Sequence, residues 1–324
     1  MIDPIILSSR VRLARNFASL PFPAKMSEED HNTLIEKTEN ALIGENHTLI
    51  RMGALSKNAK GVLTESRLIS KELTENDNGA VLLNDNKTLS VMIGEEDQLR
   101  IQATLPGLHL YDAYAIADRS DRTIEKYEPF AFDPDWGYLT ACPTNTGTGM
   151  RGSVLLHLVG LNMLSQIGKV ISTVSQVGLT VRGFYGEGSE ASGHIYQLTN
   201  QVTLGRTESE ILKLLNDTAE NIASQERAAR QALLEQDRVK LEDKLMRSFG
   251  LMQNAYLLSM REFMTRLSLA RLASDLSLIP VTLDALNKLQ NAVQPANLER
   301  AAGHELSPRE QDELRAELTR KATR

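Results

Sequence analysis

Short runs of alternating or continuous apolar residues dominate the first part of the chain. Ile5–Leu13, Ala80–Leu83, Leu89–Ile93, Leu99–Leu105, Gly137–Cys142 and Thr180–Tyr185 predict strands. Between some of them apolar residues recur at helical spacing, over Glu28–Leu42 and Leu110–Tyr127. From Thr207 the pattern becomes helical throughout. Thr207 and Glu210 have the spacing of a capping box. Ile211, Leu215, Ala219 and Ile222 then fall on one helical face, and similar patterns run to about Leu278. Pro280, Pro295 and Pro308 punctuate the remainder. Strands accompanied by helices and then helices alone predict an α+β fold. A mainly antiparallel sheet flanked by helices should occupy residues 1–231, and an all-helical module residues 232–324.

Composition sharpens one stretch of this pattern. The chain has 42 Asp and Glu residues, yet none lies between Asp135 and Glu187. Twelve of its 20 glycines lie between Gly137 and Gly205, so backbone N–H groups there can approach a ligand closely. The window holds CPTNTGTGMRGS from Cys142 to Ser153 and closes on RGFYGEGSE, from Arg182 to Glu190. Free N–H groups and arginines without carboxylates attract phosphate. Glutamates at the edge of such a site suit a cationic second substrate. The pattern describes a polyanion site beside a cation site.

Bulk properties exclude several classes. A net charge of -6 over 324 residues argues against a nucleic-acid surface. No stretch approaches the roughly 20 apolar residues that span a bilayer, and the apolar run in MIDPIILSSR is short for a signal peptide. A single cysteine rules out an internal disulfide and fits a reducing cytoplasm.

Each motif carries two readings. GTGMRG, from Gly147 to Gly152, is a G-x-G-x-x-G, but a dinucleotide fold also wants an acid about 20 residues on, and none occurs before Glu187. A tight structural turn is the other reading. In SSRVRLAR, Arg10 and Arg12 share one strand face, opposite Val11 and Leu13. They are either a bidentate phosphate clamp or a solvated face with ordinary ion pairs. In GEEDQLRI, an extended chain would put Glu96, Gln98 and Arg100 on one face; the alternative is a charged turn. Six scattered histidines lack ligand spacing, so no protein-ligated metal is expected. Cys142 is either a small buried residue or a thiolate favoured by cationic neighbours.

SSRVRLAR, GEEDQLRI, CPTNTGTGMRGS and RGFYGEGSEASG together resemble, in order and separation, the motifs of the phosphagen (guanidino) kinase family. The resemblance covers residues 5–225 and comes nearest to the bacterial protein-arginine kinases. Those share YGEGSE, a similar arginine strand and a helical C-terminal domain. The chain starts almost at that strand, leaving no room for the small N-terminal helical domain of the phosphagen kinases. The resemblance implies ATP with Mg²⁺ as phosphoryl donor. It implies a nucleotide site lined by Ser8, Ser9, Arg10, Val11 and Arg12, by Arg151, Gly152, Ser153, Val154 and Leu155, and by Arg182, Gly183, Phe184, Tyr185, Gly186 and Glu187. Arg100 joins the arginines on the phosphates, and Arg67 stands where a nucleotide-contacting histidine is found. Glu96 matches the catalytic carboxylate, Glu187 the guanidinium-holding one, Glu190 a second glutamate and Cys142 the active-site cysteine.

The chain departs from the family at three places. Gly94 and Gln98 replace the polar residues that flank the acidic trio, and Gln311 replaces the first arginine of a phosphoarginine-sensing motif, here Gln311, Asp312, Arg315 and Ala316. The implied function is ATP-dependent phosphorylation of arginine side chains in proteins. The alternatives are a catalytically weak nucleotide-binding adaptor, suggested by Gly94, Gln98 and Gln311, and a small-guanidine kinase. The implied partners are protein substrates, a stress-response repressor, the Clp protease machinery and an activator protein, with no nucleic acid or membrane. Apolar positions including Leu241, Leu245, Phe249, Leu251, Tyr256, Leu257, Phe263, Leu267 and Leu272 predict a homodimer seam, or packing onto the catalytic domain.

Overall fold

The computed structural model describes residues 2–184 and 191–324. In chain order its main elements are β1 (Ile6–Arg15), α1 (Glu28–Ala41), β2 (His47–Arg51), α2 (Lys57–Glu65), α3 (Lys71–Thr74), β3 (Ala80–Asn84), β4 (Leu89–Ile93) and β5 (Leu99–Pro106). Then come α4 (Leu110–Tyr127), β6 (Phe132–Asp133), β7 (Gly137–Tyr138), β8 (Met150–His157), α5 (Val159–Met163), α6 (Ile167–Ser175), β9 (Leu179–Gly183) and β10 (Ile195–Asn200). The rest is helical: α7 (Glu208–Asn254), α8 (Met260–Asp275), α9 (Leu283–Ala292), α10 (Pro295–Ala302) and α11 (Pro308–Thr323). Eight strands hydrogen-bond in the order β2-β3-β4-β5-β1-β8-β10-β9. The pairs from β2 through β5 to β1 are antiparallel. The expected α+β class, a large antiparallel sheet with helices and a helical C-terminal region, is what the chain forms.

The chain makes two compact units. One is Ser8–Val154 with Thr199–Asn216; the other is Met1–Leu7, Leu155–Leu198 and Asp217–Arg324. The expected division at 231/232 falls inside α7. That helix opens with the predicted capping box, Glu210 N donating to Thr207 Oγ1 and Thr207 N to Glu210 Oε2. It is interrupted at Asp237, where the backbone is extended (φ −162°, ψ 86°) and the carboxylate accepts from Lys240 N at 3.0 Å. Asp237 therefore N-caps a second helical stretch.

In the first unit, β1 lies against β5 with Arg10 opposite Thr104, Arg12 opposite Gln102 and Ala14 opposite Arg100. Strand parity sorts the three arginines of SSRVRLAR. Arg15 shares the inward face with Val11 and Leu13, which are buried. Its guanidinium grips Asp121 of α4 (Nε to Oδ1 2.9 Å, Nη2 to Oδ2 3.2 Å) and lies 3.5 Å from the Tyr138 ring centroid. Arg10 and Arg12 take the other face, with Arg100. α4 turns Leu110, Ala113, Ala117 and Ile124 inward, which is its predicted apolar stripe.

The second unit has its own core. Leu241, Leu245 and Phe249 of α7 pack with Phe263, Leu267 and Leu272 of α8 and with Leu286 and Leu289 of α9. Six of the nine positions considered for a dimer seam are thus spent inside the unit, while Leu251, Tyr256 and Leu257 stay exposed.

Candidate functional site

A cleft of about 650 Å³ opens in the first unit, lined by Arg10, Arg12, Arg100, Arg151, Glu95, Glu96, Cys142 and Asn145, with Ser70, Lys71, Asn76 and Gly149 among its other walls. Its cations crowd one another. Burial, then Arg67 and Arg100, push the Arg10 guanidinium down to about 10. Burial, then Arg10, Arg100 and Arg151, hold Arg12 well below its ordinary value, with Glu95 the one opposing influence. Guanidinium does not give up its proton in such a place. The depression reflects first the loss of water around each cation and then repulsion between them, and an incoming anion offsets both.

The acidic trio divides into three roles. Glu95 is buried and pairs closely with Arg100 Nη1, fixing that side chain from behind. Asp97 is also buried. Its Oδ1 accepts from Asn16 Nδ2 at 2.8 Å and from Ala141 N at 2.6 Å, and burial pushes its carboxyl up. Glu96 alone keeps an open face, with 43% of its side chain accessible, while Oε2 meets Arg100 Nη2 at 3.2 Å. Asn145 bridges it to Arg151: Nδ2 lies 3.5 Å from Glu96 Oε2, and Oδ1 lies 3.4 Å from Arg151 Nη2. The only trio carboxylate that a substrate cation can reach is thus held beside the phosphate-seeking arginines.

The extended reading of GEEDQLRI does not hold. Residues 94–98 form a turn, closed by Gly94 N to Gln98 O at 2.8 Å, and the strand begins at Leu99. Gln98 is fully buried and away from the cleft. It accepts from Phe17 N at 2.7 Å and donates to Pro21 O at 2.9 Å. Gly94 has φ +76°, and a Cβ there would lie 3.1 Å from His31 Nδ1. Gly94 therefore serves the turn's shape, while the Gln98 side chain ties the end of the turn to the segment from Phe17 to Pro21. Gly147 and Gly149 resolve GTGMRG as a tight structural turn: their φ values are +111° and +62°, and a Cβ on Gly147 would lie 2.4 Å from Thr203 O.

The expected residues do not all fall in one place. Arg10, Arg12, Glu96, Arg100, Cys142 and Arg151 line the cleft. Cys142 Sγ lies 3.0 Å from Thr144 Oγ1. Arg67 has φ +59°, costly for a non-glycine residue, and is pinned by Gln102 Nε2 donating to its carbonyl at 2.8 Å. Ser8, Ser9, Val11, Gly152, Ser153 and Val154 belong to the same unit without lining the cleft. Ser9 Oγ donates to Gly107 O and accepts from His109 N, so its hydroxyl is committed to the fold. Leu155, Arg182, Gly183 and Phe184 belong to the second unit, where Leu155 is a core residue. Tyr185, Gly186, Glu187 and Glu190 lie outside the described residues.

The model of the ATP:guanido phosphotransferase C-terminal catalytic domain matches residues 26–229 of this chain, well over half of its length. The chain belongs to the ATP:guanido phosphotransferase family. It is a phosphotransferase, and ATP is the donor the family name prints. A second model, the protein-arginine kinase McsB C-terminal domain, matches residues 238–324. Among full-length relatives, a protein-arginine kinase of Caldanaerobacter subterraneus subsp. tengcongensis is 44% identical over 320 residues, covering 97% of this chain and 95% of that protein. The protein-arginine kinase of Bacillus subtilis is 43% identical over 324 residues, covering 98% and 89%. Lombricine kinase superposes with a TM-score of 0.64 at 22% identity, covering 72% of this chain and 69% of that one, and shares the family fold.

Some cleft residues have no signal in the sequence. Ser70 and Lys71 open α3, whose cap is the Ser70 hydroxyl, 3.2 Å from Leu73 N. Only the folded chain carries them to the family's arginines. Glu95 and Asn145 sit inside quoted motifs, yet their supporting roles need the distances.

The motif at Gln311, Asp312, Arg315 and Ala316 lies on α11 in the second unit. Arg315 is buried and committed: it donates to Leu258 O at 2.9 Å, to Val293 O at 3.2 Å and to Asp312 Oδ1 at 2.5 Å. Gln311 Nε2 lies 3.5 Å from Glu299 Oε1.

Proposed function

We propose that this chain is an ATP-dependent protein-arginine kinase, transferring the γ-phosphoryl group to arginine side chains of proteins. The observation that carries the reading is the reachable carboxylate of Glu96 held within one cleft against Arg10, Arg12, Arg100 and Arg151. The printed names of the full-length relatives support the choice of acceptor.

A guanidinium cation is a poor nucleophile. Glu96 orients it and takes an N–H proton as the N–P bond forms and the bond from γ-phosphorus to the bridging oxygen breaks, releasing ADP. Arg10, Arg12 and Arg151 neutralise the charge on the transferring phosphoryl group, and Glu95 keeps Arg100 in place for the same work. Such transfer depends on position and charge more than on covalent chemistry. Mg²⁺ fits as part of the donor: the cleft is lined by Arg10, Arg12, Arg100 and Arg151, so phosphate oxygens and water would hold it. Bound there, it supplies further neutralisation. Arg182 carries the nucleotide role that the resemblance assigns; Glu187 and Glu190 carry the guanidinium-holding roles, and Cys142 assists without forming a bond.

The catalytic part ends and the helical part begins near Asp237, where α7 breaks and between the two family matches. A homodimer through Leu251, Tyr256 and Leu257, a cytoplasmic setting, and stress-response repressor, Clp protease and activator partners complete the reading. Feedback by free phosphoarginine is weak, because Gln311 stands beside Glu299, a carboxylate that repels phosphate. The turn at Gly94 and the burial of Gln98 weigh against the adaptor reading, and Gln311 is the departure that still supports it.

The test incubates the full chain with labelled ATP and Mg²⁺, adding either an unfolded protein or free arginine. Acid-labile phosphoarginine forms on the protein, with free arginine a poor substrate. Efficient phosphorylation of free arginine alone would move the chain to the small-guanidine kinases, and no transfer to either would leave the adaptor.

A further inference from the structure

Four large apolar side chains of the first unit stand in water, and the chemistry above uses none of them. Phe132 (57% accessible) and Trp136 (56%) lie on the ribbon of β6 and β7. Val202 (41%) and Leu204 (42%) lie on the segment that follows β10. Scattered singly, such residues need no explanation; gathered into one patch, they mark a binding surface.

Backbone contacts gather them over the loop from Cys142 to Gly149. Tyr138 N donates to Gly147 O at 2.8 Å, and Gly147 N to Tyr138 O at 3.3 Å. Thr148 N donates to Thr203 O at 3.1 Å, and Thr203 Oγ1 donates to the carbonyls of Thr144 and Thr146 at 3.0 and 2.7 Å. Gly137 has φ +75°, and a Cβ there would lie 2.5 Å from Gly147 O; a Cβ on Gly147 would in turn lie 2.8 Å from Leu204 Cα. Three backbones approach this closely only because two of the residues are glycine. Trp136 and Leu204 therefore flank one seam.

The patch is rigid and continuous with the cleft. Asp133 Oδ1 accepts from Asp135 N at 2.8 Å and from Trp136 N at 3.1 Å, which fixes the turn that presents the indole. The Phe132 ring meets Tyr138 edge-on at 5.3 Å, Tyr138 meets Phe130 at 6.2 Å, and Phe130 stacks on buried Phe17 at 5.7 Å. A rigid aromatic gives contact area at little entropic cost. The loop under the seam supplies Cys142, Thr144, Asn145 and Gly149 to the cleft. Trp136 precedes Cys142 by six positions, so at most about 20 Å of extended chain separates them.

We propose that Trp136, with Val202 and Leu204, docks an apolar side chain of the substrate polypeptide that flanks the arginine being phosphorylated. The proposal rests on the reading above, in which the acceptor is an arginine within a protein. A substrate residue up to about six positions from that arginine spans the same distance as Trp136 from Cys142. Unfolded chains expose apolar side chains that folded ones bury, so the patch favours unfolded acceptors. Asp135, exposed beside Trp136, suits a chain that carries arginine. A second copy of this chain would bring its own Asp133 and Asp135 to a self-complementary contact, like charge against like.

The experiment uses the full chain, ATP with Mg²⁺ and two unstructured peptides, each with a single arginine flanked on both sides by leucines or by serines. The wild type shows a KM for the leucine peptide about tenfold below that for the serine peptide, and Trp136→Ala removes the difference while KM for ATP stays within about twofold, as expected of one aromatic anchor. Trp136→Phe keeps the preference. Leu204→Ser, a change at an exposed position, repeats the test should Trp136→Ala fail to fold. Trp136 is the only tryptophan of the chain, so its emission reports docking directly. The leucine peptide shifts that emission without ATP, and free arginine does not. A leucine preference that survives in Trp136→Ala, or emission unmoved by the leucine peptide, would overturn the proposal. Emission that shifts with enzyme concentration alone would assign the patch to a second copy and overturn it as well. A wild type that forms no phosphoarginine on any acceptor would remove the kinase reading, and the emission titration, which needs no turnover, would still decide the docking.

Discussion

The arginine cleft of the first unit and the buried polar run of the second handle charge in opposite ways. In the cleft, Arg10 and Arg12 are crowded by other arginines, and among the described residues the cleft's ion pairs to carboxylates are those of Arg100. In the polar run Arg230 meets the carboxylates of Glu226 and Asp275 and the imidazole and carbonyl of His157. The first arrangement is unfavourable until an anion arrives, and so it binds. The second is complete without any ligand, and so it holds shape. Charge left unsatisfied marks chemistry; charge fully satisfied marks architecture.

The largest effect should come from the one reachable carboxylate. Glu96→Gln keeps shape and loses the base, lowering phosphoryl transfer by ~10²–10⁴ with nucleotide affinity nearly unchanged. Steady-state transfer and ATP titration check this, and activity within a few-fold of wild type would remove Glu96 from the mechanism. Next is Arg12→Gln, which separates function from stability. Turnover should fall by ~10²–10³, while relief of crowding raises stability by about 1 kcal/mol. Thermal melts with and without inorganic phosphate test it: phosphate should stabilise the wild type more than the variant. A variant less stable than wild type would mean that Arg12 is paired after all.

Arg230→Met is the matching change in the polar run. It leaves the Glu226 carboxylate buried without its ion partner, and stability should drop by about 3 kcal/mol. Denaturant unfolding measures this, and a stable variant would show that the run is dispensable. The smallest effect is pH dependence. Burial, then Arg230, Arg271 and His194, hold His157 well below its ordinary value, and burial, then Lys244, lowers His194. The unfolded chain takes up protons near the ordinary value of about 6.5, and the folded chain does not. Their contribution is therefore whole above about pH 6.5 and falls as the solution is acidified, by at most about 1.4 kcal/mol per pH unit for each ring. Melting temperatures from pH 7.5 to 5 should show the loss, and His157→Gln should flatten it. Parallel pH curves for both proteins would count against the assignment.

Local pattern carried much of the fold. Leu89–Ile93 and Leu110–Tyr127 end where alternation and helical spacing end. The strands at His47–Arg51, Met150–His157 and Ile195–Asn200 have no clear local signal. Met150–His157 is buried on nearly every position, so no alternation distinguishes it from a buried helix. Gly137–Cys142 shows the converse: only Gly137–Tyr138 pairs as strand, because Asn16 takes the Leu139 carbonyl and Asp97 takes Ala141 N. Side chains from distant positions displaced the ladder there.

The order of residues already set which positions carry charge and where turns are permitted: the acid-free window, the arginine pairs at strand spacing, the glycines and the capping residues. These are properties of composition and near neighbours, and local physics reads them directly. Which member of each set works was settled by folding. Strand register turned Arg10 and Arg12 to the cleft and Arg15 to Asp121. The 94–98 turn exposed Glu96 while burying Glu95 and Asp97. Ser268 and His194 are 74 positions apart, yet share a hydrogen bond. A side chain's role depends on its partners and its distance from water, and long-range packing sets both.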